Sequence, residues 1–213
     1  MDINWLGHSC FRIKGKEAVI ITDPCHPDIG YDIGKIHADI VTLSHSHPGH
    51  SYTQAIEGEF HTLCRPGEFE LKNVFITGAP TFHDANQGKD RGKNTAFIFE
   101  IDGLTICHLG DIGHIPSDDL KENLNEIDIL LIPVGGTSTI GSATAAEIVR
   151  RFNPRIIIPM HYKTPLLKRE LDTVDKFLKE VGIKDILKQP KFSVTRSGLS
   201  ATTQVIVFDD PGK

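Results

Sequence analysis

The sequence predicts a mixed α and β fold in one domain spanning residues 1–213. Three observations carry this. The first part of the chain is a block of short, strand-like apolar segments joined by tight turns. The second part alternates such segments with apolar stripes at helical spacing. With 213 residues, 39% hydrophobic and 24% charged, the chain is long and apolar enough for one sizeable core or two small ones. No repeat, low-complexity tract or long linker divides it, which favours one.

The chain opens with strand candidates at Asp2–Leu6, Cys10–Ile13 and Ala18–Thr22. Turns such as Lys14-Gly15-Lys16-Glu17 separate them and suggest an antiparallel meander. Ile40–Leu43 follows as a buried strand, and a short helix is expected around Tyr52–Glu57. Further strands are read at Phe60–Leu63, Val74–Thr77, Thr95–Ile101 and Leu104–Leu109. Asp102-Gly103 between the last two is a two-residue hairpin turn. Ser117 then caps a helix carrying Leu120, Leu124 and Ile127 on one face. After the strand Ile129–Pro133, Thr144-Ala145-Ala146-Glu147 reads as a capping box. Its helix lines Ala145, Ile148, Val149 and Phe152 on one side and ends before Pro154. Ile156–Pro159 is a strand, and Val174, Phe177, Leu178 and Val181 form a last helical stripe closed by Gly182. Gln204–Phe208 completes the strands.

Net charge is −5, from 23 basic and 28 acidic residues. Phosphate-backbone binding needs a basic stripe, so nucleic acid is not the expected partner, although Lys89, Arg91 and Lys93 allow a local basic rim. The amino terminus lacks the basic-then-apolar pattern of a signal peptide, and no apolar stretch of roughly 18 residues predicts a membrane span. Cys10, Cys25, Cys64 and Cys107 are scattered without a CxxC pair, as expected of reduced thiols in a cytoplasmic protein.

The chain's 11 histidines are distributed unevenly. His45, His47 and His50 lie within six residues after the strand ending at Leu43. His83 follows the strand Val74–Thr77 across the bend Gly78-Ala79-Pro80. Asp111 follows the strand Leu104–Leu109, and His161 follows Ile156–Pro159. Strand ends are where a sheet aims side chains from distant segments at one point. Zinc takes neutral imidazole nitrogens and carboxylate oxygens in a roughly tetrahedral shell, and a catalytic zinc lowers the pKa of its water to about 7. His-x-His on an extended segment points both rings one way, and a turn at Pro48-Gly49 returns His50 to the same centre. An aspartate such as Asp111 has two oxygens with which to bridge two metals.

This set, in this order and spacing, resembles the metallo-β-lactamase superfamily. It is most similar to the bacterial branch related to L-ascorbate-6-phosphate lactonase and small metal-dependent hydrolases. The resemblance covers nearly the whole chain. It includes Trp5-Leu6-Gly7-His8-Ser9-Cys10-Phe11, Thr22-Asp23-Pro24, Arg91-Gly92-Lys93-Asn94-Thr95, His108-Leu109-Gly110-Asp111 and Pro159-Met160-His161-Tyr162. It implies an αβ/βα four-layer sandwich with metals at one edge between two sheets. It implies a first metal site of His45, His47 and His83, and a second of His50 and His161, with Asp111 between them. Asp111 and His161 are the implied catalytic residues. The implied activity is hydrolysis of a small ester, lactone, thioester or phosphoester by metal-bound hydroxide, with zinc as the metal and manganese or iron as substitutes. Relatives form oligomers, so a homo-oligomer stays open, although no apolar stripe marks an interface.

One position departs from the family pattern His-x-His-x-Asp-His: the fifth residue here is Gly49. The missing carboxylate predicts a second site that is weak, empty or completed by another residue. Cys25, His26 and His114 are candidates, against the plainer expectation of a structural thiol and two loop imidazoles. His8 and Asp23 are expected to hydrogen-bond metal ligands and fix their tautomers, or else to satisfy loop backbone. His37, His61 and His108 read as structural or surface groups. Asp84 reads as orienting a ring, contacting substrate or lying exposed in its loop. Tyr162, Lys163 and Arg91 are candidates for an anion, with solvated charge as the commoner fate. Gly135-Gly136-Thr137 reads as a structural turn, since the P-loop spacing is absent. The rival to a hydrolase is a non-catalytic metal-binding protein, for which Gly49 speaks. Diiron redox chemistry and nuclease action rank low, because His47 stands where the former has glutamate and no nucleic-acid-binding insertion is present.

Overall fold

The computed structural model describes residues 1–117 and 127–211. Fifteen strands are assigned among them. They are β1 (Asp2–Gly7), β2 (Cys10–Lys14), β3 (Val19–Thr22), β4 (Ile36–His37), β5 (Ile40–Thr42), β6 (Ile56–Glu57), β7 (His61–Leu63) and β8 (Gly67–Leu71). Then come β9 (Val74–Phe82), β10 (Lys93–Ile101), β11 (Leu104–His108), β12 (Ile129–Pro133), β13 (Ile156–Met160), β14 (Phe192–Ser193) and β15 (Gln204–Val205). Two α-helices accompany them among the described residues, α1 (Ser142–Phe152) and α2 (Val174–Glu180).

The strands form two large sheets. One has the order β14-β1-β2-β3-β5-β7, the other β15-β13-β12-β11-β10-β9-β8, and β4 pairs with β6 in a small third sheet. Each large sheet is antiparallel on one side and parallel on the other. The main core lies between them. Ile3, Phe11, Ile13, Ile20 and Ile40 of the first sheet meet Ile76, Phe97, Phe99 and Ile106 of the second. Strand alternation turns Cys10, Ile21 and Val41 to the opposite face, where they pack with Ile29, Tyr31 and Leu167. β12 and β13 are buried at every position, as parallel strands covered on both faces must be. α1 and α2 bury Ala145, Ile148, Val174 and Phe177 into the main core. The mixed α and β architecture read from the sequence is therefore present. No helix among the described residues is long and apolar enough to cross a membrane.

Local differences have identifiable causes. The helix behind Ser117 falls largely on residues 118–126, outside the described residues. Tyr52–Glu57 is not helical: a 3-10 turn at Thr53–Ala55 runs into β6. The segment is too short to nucleate an α-helix, and Ile56 pairs with Ile36 instead. Thr144 does not cap α1. The cap is Gly141, held by a bridge to Gly135, so the loop backbone rather than a hydroxyl sets the helix start. Pro80 does not bend the chain out of its sheet. β8 stops pairing at Gly78, leaving β9 an edge strand where a missing N–H costs nothing. Asp102 and Gly103 form the expected hairpin, both with positive φ.

Candidate metal centre

Six segments bring polar side chains to one end of the two sheets. The β1–β2 turn supplies His8, and the end of β3 supplies Asp23. The loop after β5 supplies His45, His47 and His50. β9 and β13 end next to His83 and His161, and β11 ends three residues before Asp111. The loop after β5 is turned rather than extended, and a His50 N–H to His47 carbonyl bond of 2.8 Å closes it. It still gathers the rings: His45 and His47 centroids lie 4.5 Å apart, His45 and His50 4.3 Å, and His45 and His83 4.7 Å.

Asp111 is the centre of this group. Its Oδ2 lies 3.1 Å from His50 Nε2, 3.3 Å from His161 Nε2, 3.5 Å from His83 Nε2 and 3.9 Å from His45 Nε2. All six sequence-predicted residues are thus brought together, with His47 completing the His45 and His83 side. The Asp111 backbone is pinned, because its N–H donates to Asn94 Oδ1 at 2.9 Å. Asn94 Nδ2 donates in turn to Thr81 Oγ1 and the Leu109 carbonyl. Gly110 allows this turn: its φ is +59°, and a Cβ there would stand 2.5 Å from both Asn94 Oδ1 and Ser44 Cβ.

Asp23 supports the cluster from behind. It is fully buried, accepts from Ser44 N–H at 2.7 Å and Ser44 Oγ at 2.5 Å, and pairs with His50 Nδ1 at 2.9 Å. Ser44 Oγ also lies 2.9 Å from His45 Nδ1. With its Nδ1 proton on Asp23, His50 presents Nε2 to the centre, the arrangement expected of a carboxylate that fixes a ligand's tautomer.

The electrostatics favour a cation. Burial pushes His45 down to about 3, helped by the His50 charge. Burial also lowers His47 and His83, and holds His8 well below its usual range. Burial works against ionised Asp111, yet His161 and His50 hold its carboxyl well below the usual range. Burial likewise opposes charge on His50, but Asp111 and Asp23 together raise it to about 10. Neutral imidazoles around ionised carboxylates are the donor state a metal requires, and the extra proton on His50 is the one a cation displaces. Several buried atoms have no hydrogen-bond partner among the described residues: His45 Nε2, His83 Nδ1, Asp111 Oδ1 and both nitrogens of His8. Orphaned buried donors and acceptors are costly, and a metal would satisfy one nitrogen of each ring it binds and a carboxylate oxygen. The donor set therefore fits one or more divalent ions.

The candidate substitutes for the missing carboxylate at Gly49 are elsewhere. Cys25 is buried in the outer apolar cluster, and burial pushes its thiol up to about 12. His26 Nδ1 caps a 3-10 turn by accepting from Asp28 N–H, and His114 Nε2 accepts from Phe82 N–H. His108 is structural, bonded to the Ser9 carbonyl and to Gly110 N–H. His8 does not hydrogen-bond any ligand through its ring, contrary to expectation. Tyr162 is buried against Trp5, and Lys163 is consumed by the Leu167 and Arg169 carbonyls and Glu170.

Beside His45 and His47 opens a cleft of about 740 Å³, lined in part by Arg65, Arg91, Lys93 and Cys64. Arg65 went unnoticed in the sequence. It lies just past the end of β7, so the strand-end rule that located the histidines would have found it.

Asp84 neither orients a ring nor faces the cleft. Its two oxygens accept four backbone N–H groups, from Asn86, Gly88, Asp90 and Arg91, and so fold the loop that carries Arg91. Burial opposes ionisation, but the four amides together outweigh it and lower its carboxyl to about 2. A depressed folded pKa contributes stability above the unfolded value of about 3.9 and loses it as pH falls through about 2. Asp84→Asn is accordingly expected to melt below the wild type at neutral pH, with the gap closing between about pH 4 and about pH 2. A gap that stays constant over that range, in thermal melts, would contradict this role.

Comparison with known proteins gives concordant results. A family model described as a beta-lactamase superfamily domain matches residues 2–161. A solved structure from Thermotoga maritima, described as a candidate zinc-dependent hydrolase of the metallo-beta-lactamase superfamily, is 39% identical with a TM-score of 0.80 and covers 97% of each chain. A protein of Pelotomaculum thermopropionicum named as a metal-dependent hydrolase is 29% identical over 202 residues, covering 80% of this chain and 88% of the relative. A similarly named protein of Archaeoglobus fulgidus is 27% identical, covering 86% and 93%.

Proposed function

The chain belongs to the beta-lactamase superfamily, and on that premise we propose that residues 1–213 form one metal-dependent hydrolase domain acting on a small anionic ester, lactone or phosphoester. The observation that carries this reading is the convergence of four imidazoles on Asp111 Oδ2 at 3.1–3.9 Å. His45, His47 and His83 would hold a first ion and His50 and His161 a second, with Asp111 between them. Zinc suits imidazole and carboxylate donors, and the Thermotoga maritima relative is described as zinc-dependent. When bound, the ion supplies Lewis acidity and lowers the pKa of a water towards about 7.

The protein groups have separate tasks. Asp23 and Ser44 fix the rings of His50 and His45. Asp111 and His161, 3.3 Å apart at the centre of the cluster, are the proposed catalytic pair. The cleft supports an anionic substrate: Arg65, Arg91 and Lys93 all line it, in a chain whose net charge is −5.

The test is turnover of a panel of neutral esters, carboxylate-bearing lactones and phosphoesters by zinc-loaded protein. Activity abolished by His47→Ala is expected, and no turnover sensitive to that change would count against hydrolysis. Replacing Arg91 and Lys93 together by alanine is expected to raise KM for the anionic substrates about tenfold, with kcat and neutral esters little changed. Equal effects on neutral and anionic substrates would remove the argument from charge.

A further inference from the structure

We propose that His8 is a metal ligand, standing in for the side chain that Gly49 lacks and completing a second site with His50, His161 and Asp111. This rests on the metal-centre reading above and extends it to a residue outside the motif.

Three independent observations support it. The first is position. One ring nitrogen from each of His8, His50 and His161 can be chosen so that all three lie within 4.8 Å of one another. The His8 ring lies 4.0 Å from that of His161 and 4.9 Å from that of His50, centroid to centroid. The second is unmet bonding. His8 is 0% exposed, and neither ring nitrogen has a hydrogen-bond partner among the described residues. A buried imidazole left so is costly unless something absent from the polypeptide binds it. The third is space. A Cβ added at Gly49 would stand 3.4 Å from both Cδ2 and Nε2 of His8. The His8 ring therefore lies in van der Waals contact with the point from which a side chain at 49 would start.

The backbone holds His8 for this task. Its φ is +54°, at the tip of the β1–β2 turn. Its carbonyl accepts from Trp5 Nε1 at 3.0 Å and from His161 N–H at 3.1 Å. The second bond ties His8 directly to another residue of the proposed site, so the two rings keep their relation. Both anchors hold the His8 carbonyl and leave both of its ring nitrogens available.

The test compares zinc content after zinc loading and removal of free ion. Asparagine is the replacement of choice at position 8, because it tolerates positive φ while being a poor zinc ligand. Wild-type protein is expected to carry about two zinc ions per chain and His8→Asn about one. His47→Ala, which damages the other site, should leave the His8 site loaded. Adding Gly49→Asp to His8→Asn returns a carboxylate to the vacated ground, and the double variant is expected to regain the second ion. His8→Asn retaining two ions would overturn the inference and leave the metal centre intact. A wild type with one ion, lost in His47→Ala and kept in His8→Asn, would do the same. A wild type with no ion under any loading condition would overturn both. Melting curves of metal-free protein check that each variant is folded.

Discussion

Asp111→Asn is expected to lose both bound metal and turnover, with activity falling about 10³-fold or more. The change is nearly isosteric, and the Asp111 main chain stays anchored on Asn94, so the fold is retained. The chemistry does not survive. A single oxygen serves imidazoles on both sides of the centre, at 3.1 and 3.3 Å towards His50 and His161 and at 3.5 and 3.9 Å towards His83 and His45. An amide supplies no negative charge, and in one of its two orientations sets an NH2 group against those rings. Elemental analysis of zinc-loaded protein and ester hydrolysis are the measurements. Wild-type metal content in this variant would show that Asp111 is not the shared group.

Asp23→Ala is expected to destabilise the protein by about 3–5 kcal/mol, the usual consequence of removing one partner from a buried pair. Ser44 N–H, Ser44 Oγ and His50 Nδ1 would all lose their acceptor at a site with no access to water. Asp23→Asn keeps the shape and tolerates the φ of +39°, so it should unfold much closer to the wild type. It still weakens the hold on the His50 tautomer, and zinc affinity is expected to fall about 10–100-fold. Burial resists ionisation of Asp23, but the His50 hydrogen bond and neighbouring imidazoles leave its carboxyl depressed. Its contribution is then fully present above the unfolded pKa of about 3.9 and is lost as pH falls through its lowered folded value. Urea unfolding of chelated protein and zinc titration separate the two effects. An Asp23→Asn variant that binds zinc like the wild type would reduce Asp23 to a purely structural role.

Particular residues show what the sequence could and could not disclose. The strands around the centre were legible because β5, β11, β12 and β13 are largely apolar runs that end at, or are followed within three residues by, histidine, proline or glycine. The six expected residues converge because each follows a strand end, and strand ends of two facing sheets meet at one edge. Asp84 was illegible, since nothing local says that a carboxylate will collect four amides from the loop it begins. His8 was illegible for a different reason. Its place beside Gly49 joins residues 41 positions apart, and such a contact cannot be seen in one dimension. The Thr144 box failed because a backbone bridge between two glycines fixed the helix start first.

The division of the donors between the sheets bears on durability. His8, Asp23, His45, His47 and His50 hang from the first sheet, whereas His83, Asp111 and His161 hang from the second. An ion held by members of both is a removable cross-link across the open rim of the sandwich. A ligand that binds only the folded state adds about 1.4 kcal/mol for each tenfold excess of free ion over Kd. Chelation should therefore unlatch the rim first, raising proteolytic susceptibility there before the interior between the sheets gives way.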